Sequence, residues 1–132
     1  MSLLLDTCVF LWLIGLPERL SPAARVLLTR GDTRITVSTA NLWEVLIKLG
    51  KGQIGLDSGG ASALDFLIEQ CAAHRLNVLP IFPGSLEPLE RLPSIHRDPF
   101  DRVVVALAQA QALTILTSDQ NIPRYYGVKT LW

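Results

Sequence analysis

The 132-residue sequence predicts an α/β fold, a central and mainly parallel sheet flanked by helices. Short apolar runs ("LLL", "RITVS", "LNVLPI", "LTILTSD") alternate with longer segments that carry helix-start signals. Two acids, Asp6 and Asp119, directly follow such runs, and strands of one direction send both to the same rim. The length suits one domain, residues 1–132, with a substantial core. At 49% apolar and 18% charged residues the chain is not disordered. No repeat, low-complexity segment or linker divides it.

Taken in order, residues 3–5 read as a short buried strand and residues 7–14 as a helix capped by Asp6 or Thr7. In the next helix Ser21 is the N-cap, Pro22 the first helical position and Gly31 the stop. Residues 34–38 form a second strand. In "TANLWEVLIKLGKGQI", Leu42, Val45, Leu46 and Leu49 recur at i, i+3, i+4 and i+7, an apolar stripe of helical period ending at Gly50 or Gly52. "DSGGAS" is a loop and residues 63–74 another helix. Residues 76–81 are the third strand and residues 83–93 a short helix. "RDPFDRVVVALAQAQAL" has the clearest helix start in the chain, with "LTILTSD" the fourth strand after it. A helical turn and a last short strand close the sequence.

Formal net charge is zero, so the chain as a whole carries no basic signature of a nucleic-acid binder. The first apolar stretch is cut by Asp6, and residues 8–16 beyond it are too few to span a bilayer. No secretory signal is visible, and no membrane role is expected. Cys8 and Cys71 stand alone in apolar helical patterns, as reduced core residues of a cytoplasmic protein would.

The carboxylates carry the functional question. An ionised Asp6 in an apolar run costs several kcal/mol, on the order of any unpaired buried charge, unless it caps, pairs or binds a cation. Helix capping, worth about 1 kcal/mol, accounts for Asp6 or Asp119 taken singly. In "RDPFDR", Asp98 is an N-cap followed by Pro99 at the first helical position, so a structural role suffices. Asp101 is too short for the reciprocal bond of a capping box, which leaves it the better candidate for chemistry. Glu44 borders the apolar stripe and has Lys48 at i+4 and Lys51 at i+7. An exposed ion pair would be worth only ~0.3–0.5 kcal/mol, and two lysines also suit a face that meets phosphate.

Several close carboxylates raise one another's pKa unless something positive neutralises them. With no Cys or His partner assigned, such a cluster fits a hard, oxygen-loving cation such as Mg²⁺ or Mn²⁺, which can activate water at phosphorus. If four of the twelve acids are so covered, eight remain against twelve bases, and the surface becomes mildly basic, as a polyanionic substrate requires. His74, at a helix end, and His96, before "RDPFDR", are assigned cap, dipole or surface roles. No nucleophile elbow, Walker loop or dinucleotide fingerprint is present.

Four stretches in order, "LLLDT", "S-x-x-x-L-W-E-V-x-x-K-x-x-x-G", "DPFDR-V-V-V-A-x-A" and "L-T-I-L-T-S-D", resemble the PIN-domain family, and more narrowly the VapC-type ribonuclease toxins of toxin–antitoxin pairs. The resemblance covers nearly the whole chain and implies a PIN-like three-layer sandwich. It implies metal-binding catalytic acids at Asp6, Glu44, Asp101 and Asp119, supported by Thr7, Ser118 and Asp98. It also implies Mg²⁺- or Mn²⁺-dependent cleavage of RNA, a homodimer, and a small antitoxin protein as partner. Lys48, Lys51 and Arg102 are the candidate phosphate contacts, and Phe10, Trp12 and Trp43 the candidate apolar anchors for a partner. Two alternatives stand beside this reading. One is another acid-rich phosphohydrolase; a haloacid-dehalogenase phosphatase needs Asp where Cys8 stands, and a receiver domain needs paired early acids. The other is a non-catalytic binding module whose acids are caps and surface pairs.

Overall fold

The computed structural model describes residues 1–132. Strands β1 (Ser2–Leu5), β2 (Arg34–Ser38), β3 (Asn77–Leu79), β4 (Thr114–Leu116) and β5 (Lys129–Leu131) form one sheet in the order β3-β2-β1-β4-β5. All four pairings are parallel. The helices are α1 (Thr7–Gly15), α2 (Pro22–Thr29), α3 (Thr39–Gly50), α4 (Ala63–Ala73), α5 (Pro83–Arg91) and α6 (Pro99–Gln111). This is the expected three-layer α/β sandwich.

β1 explains the layering. Successive strand side chains point to opposite faces, so Leu3 and Leu5 enter one core and Leu4 the other. The first core takes Val9 and Phe10 of α1, Ala24 of α2, Leu42 and Val45 of α3, and Leu67 and Cys71 of α4. The second takes Val104 to Ala108 of α6 with Ile115, Ile122 and Tyr125. A parallel strand covered on both faces needs an unbroken apolar run, and "LLL" supplies it, fully buried.

The sheet order also fixes where a ligand site belongs. From β1 the chain builds outward through β2 and β3, then returns to place β4 and β5 on the other side of β1. The direction of winding reverses between β1 and β4, and crevices of open parallel sheets lie at the carboxyl ends of strands at such a reversal. Asp6 follows β1 and Asp119 follows β4.

Helix starts follow the sequence cues. Asp6, Ser21, Ser38, Ser62 and Asp98 are all N-caps whose side chains accept from a backbone N–H. Two strands are shorter than expected. The third ends at Leu79 because Pro80 has no N–H to extend the ladder. The fourth ends at Leu116, although Thr117 N still donates to Leu131 O (3.0 Å). Phe10 is fully buried and fills the core, so it anchors no partner. Trp12 packs on Trp132 with ring centroids 5.6 Å apart, while Trp43 is exposed and meets Phe100 edge to face at 5.1 Å. The expectation of two core cysteines holds for Cys71 alone; Cys8 is exposed, because its position on α1 faces the acid-lined cavity described next.

Candidate active site

Asp6, Thr7, Glu44, Lys48, Asp98, Asp101, Ser118 and Asp119 line one cavity of about 380 Å³, together with Cys8 and Leu11. They come from β1–α1, α3, the start of α6 and the turn after β4, segments far apart in the chain. Lys51 and Arg102 do not line it. Lys51 caps the exposed end of α3. Arg102 donates to the carbonyls of Pro93 (2.8 Å) and Leu92 (3.3 Å), so its guanidinium braces the segment before α6. Its expected phosphate contact is corrected to that role.

Asp6 has both roles that its sequence position allows. One oxygen, Oδ1, accepts from Val9 N (2.8 Å) and caps α1; the other, Oδ2, accepts from Thr117 Oγ1 (2.5 Å). Burial pushes its carboxyl above the usual range against these two hydrogen bonds, and the charges of Asp119 and Glu44 push the same way. Thr117 also accepts from Asp119 N (2.9 Å), so one hydroxyl ties the ends of β1 and β4 together. The supporting hydroxyl in "TSD" is thus Thr117; Ser118 lines the cavity.

Glu44 is buried, not an exposed partner of Lys48. Oε1 accepts from Thr7 Oγ1 (2.5 Å) and Oε2 pairs with Lys48 Nζ (2.7 Å). The pairing raises the Lys48 pKa. Behind it, Asn41 Nδ2 donates to Thr7 Oγ1 (2.9 Å), while Asn41 Oδ1 accepts from Ser38 N and Ser38 Oγ, both at 2.9 Å. The capping box of α3 is thereby wired to Glu44 through Thr7. Asn41 lay within the "S-x-x-x-L-W-E" stretch; its polarity on the buried side of an amphipathic helix was the available clue.

Asp119 has its Oδ1 held by Asn121 N (2.7 Å) and its Oδ2 by His96 Nε2 (3.0 Å). Burial opposes its charge, yet these two donors together with Ile122 N outweigh burial and hold the carboxyl below the usual range. His96 therefore does not have the surface role expected of it. Its side chain is 9% exposed, and its nitrogen lies with oxygens of Asp101 and Asp119 in a group whose members are all within 4.8 Å of one another. No periodicity in "SIHRDPF" announces this, because the contact depends on the return of the chain at Tyr125 and Asp119.

Asp101 differs from the other acids in making no side-chain hydrogen bond, although it is half-buried. Burial, then the charge of Asp98, raises its pKa to about 6. Asp98 itself accepts from Phe100 N (2.8 Å), the cap expected of it. The donor set facing the cavity is thus carboxylate oxygen from several directions, with one acid lacking any partner. That chemistry fits a hard divalent cation coordinated by oxygen.

Comparisons with known proteins agree with this architecture. The profile of the PIN domain matches residues 3–128. The fold is similar to VapBC2 from Rickettsia felis, solved with a DNA fragment from their promoter: TM-score 0.73, 15% identity, covering 100% of this chain and 99% of that one. It is also similar to DNA-bound VapBC from Salmonella typhimurium (TM-score 0.63, 16% identity, 99% and 97% covered). VapBC-5 from Mycobacterium tuberculosis gives a TM-score of 0.61 at 17% identity, with 98% and 97% covered. No curated protein matches the chain significantly. With the profile spanning nearly the whole sequence, the chain belongs to the PIN-domain family, whose members are generally nucleases and usually use divalent metal ions.

Proposed function

We propose that this protein is a metal-dependent endoribonuclease, the toxin of a toxin–antitoxin pair, acting in the cytoplasm. The observation that carries the reading is the convergence of Asp6, Glu44, Asp101 and Asp119 on one cavity at the winding reversal of the sheet. In this reading the four acids hold Mg²⁺ or Mn²⁺. Such an ion supplies Lewis-acid charge at the phosphodiester and lowers the pKa of a bound water. Asp101, with no other partner, is the acid most dependent on the cation. Thr7 and Thr117 each donate to an acid and fix its rotamer, leaving lone pairs free toward the cavity. Lys48 offsets the charge of Glu44 and is the best-placed phosphate contact. Lys51, exposed one turn further along, is a second, more distant one. The likeness to VapBC complexes, one of them described as a toxin–antitoxin system, supports a small antitoxin as the partner; a homodimer is part of the same proposal.

A single-stranded RNA incubated with purified protein tests this. Cleavage is expected with Mn²⁺ or Mg²⁺ and not with EDTA, falling by about 100-fold or more in Asp6→Asn and Asp101→Asn. Millimolar Mn²⁺ is expected to raise the melting temperature of the wild type by mass action. Absence of both cleavage and metal-linked stabilisation would leave the non-catalytic module as the better reading.

A further inference from the structure

We infer that His96 is a positioning residue for Asp119, a hydrogen-bond donor that aims the carboxylate and does not itself bind the metal, and that Tyr125 fixes it in this state. The inference rests on the metal reading above and follows from counting protons. The Tyr125 hydroxyl is buried and has two neighbours, His96 N at 3.1 Å and His96 Nδ1 at 2.8 Å. The backbone N–H can only donate, so the phenol oxygen accepts there. The phenol proton then has one acceptor within reach, the Nδ1 lone pair. A neutral imidazole that accepts at Nδ1 carries its proton on Nε2. Nε2–H therefore donates to Asp119 Oδ2 at 3.0 Å and has no lone pair to offer a cation. The opposite tautomer would point two lone pairs at each other across the same 3.0 Å and leave a buried phenol proton unpaired.

The rings of His96 and Tyr125 lie nearly parallel (6°), with centroids 5.5 Å apart, so the imidazole has little freedom to rotate. Tyr125 sits in the second core, on the turn that leads from β4 to β5. A hydrogen-bond chain thus runs from the core through Tyr125 and His96 to Asp119. It places one Asp119 oxygen under a charge-assisted bond, while Asn121 N fixes the other. The neighbouring Asp101 has no equivalent restraint. Although a ring nitrogen of His96 lies within 4.8 Å of oxygens of Asp101 and Asp119, this assignment makes the site an all-oxygen one with a histidine behind it.

Two measurements test this. In metal-free protein, ¹⁵N–¹H spectra of the His96 ring report its tautomer directly. The Nε2–H form is expected in the wild type, and an Nδ1–H form would overturn the assignment. Manganese binding, measured with the metal alone by isothermal titration, should weaken about tenfold in His96→Ala and Tyr125→Phe. In His96→Gln, whose amide can still donate to Asp119, it should return to within about threefold of wild type. Equal weakening in His96→Gln and His96→Ala would overturn the positioning role, as would unchanged affinity in His96→Ala. A wild type that binds no Mn²⁺ at all would remove the metal reading itself, whatever the tautomer.

Discussion

The two walls of the cavity are built differently. On the Asp6–Glu44 wall every carboxylate oxygen has a partner, and the hydrogen bonds run back through Thr7, Asn41 and Ser38 into the cap of α3. On the opposite wall Asp101 has none, and burial together with Asp98 drives its pKa to about 6. On the first wall hydrogen bonds offset part of the burial that still raises the Asp6 pKa; on the second, Asp101 has no such offset. Under the proposed metal reading the two walls are complementary: rigid donors that stay in place, and an acid whose charge is costly until a cation arrives.

The largest effect should come from breaking the satisfied wall. Thr7→Val keeps the shape and removes the hydroxyl, stranding Asn41 Nδ2 and Glu44 Oε1 inside the protein. Denaturant unfolding should show a loss of about 2 kcal/mol with an unchanged m-value. A loss below about 0.5 kcal/mol would mean that solvent replaces the hydroxyl, erasing the contrast between the walls.

On the other wall, Asp98→Ala should cost about 1 kcal/mol by removing the cap of α6. The same denaturant titration checks it, and metal-dependent cleavage should survive in the folded variant.

The smallest change has the opposite sign. Asp101 has a folded pKa of about 6 against 3.8 for its ordinary value. Between those values the folded chain holds a proton that the unfolded chain has released, so stability falls as pH rises through the window. Asp101→Asn removes that loss. Without metal, the variant should be more stable than wild type at pH 7.5 by roughly 0.5 kcal/mol, allowing for solvent screening of a half-exposed group. Below about pH 3.5 the two should coincide. Melting curves at both pH values check this, and a variant less stable than wild type at pH 7.5 would place a missing stabilising contact on Asp101.

Most of the framework was legible in the sequence, because each element's signal is local. The caps Asp6, Ser21 and Asp98, the apolar stripe of α3 and the "LLL" run each need only neighbours a few residues away. Chain direction alone carried Asp6 and Asp119 to one rim. What the sequence withheld are contacts between residues far apart. Thr117 and not Ser118 reaches Asp6 because strand alternation and the turn after β4 decide which hydroxyl points inward. His96 meets Tyr125 and Asp119 across separations of 29 and 23 residues, with no motif linking them. Arg102 looked free because its acceptors are main-chain carbonyls, which every residue has and no pattern marks. Cys8 shares an apolar helix, yet it opens onto the cavity because the acids opposite leave room for it.

The place of β1 between β2 and β4 has a consequence for local opening. Its amides and carbonyls are engaged on both edges, its side chains are covered on both faces, and Asp6 extends directly from its end. Freeing that aspartate means prising out the innermost strand, an event as costly as unfolding the whole chain. Asp6 therefore stays in place through local openings that can still move the half-exposed turn carrying Asp119. Local loosening can thus shift the partners of Asp6 around the cavity, but not the aspartate that the central strand carries.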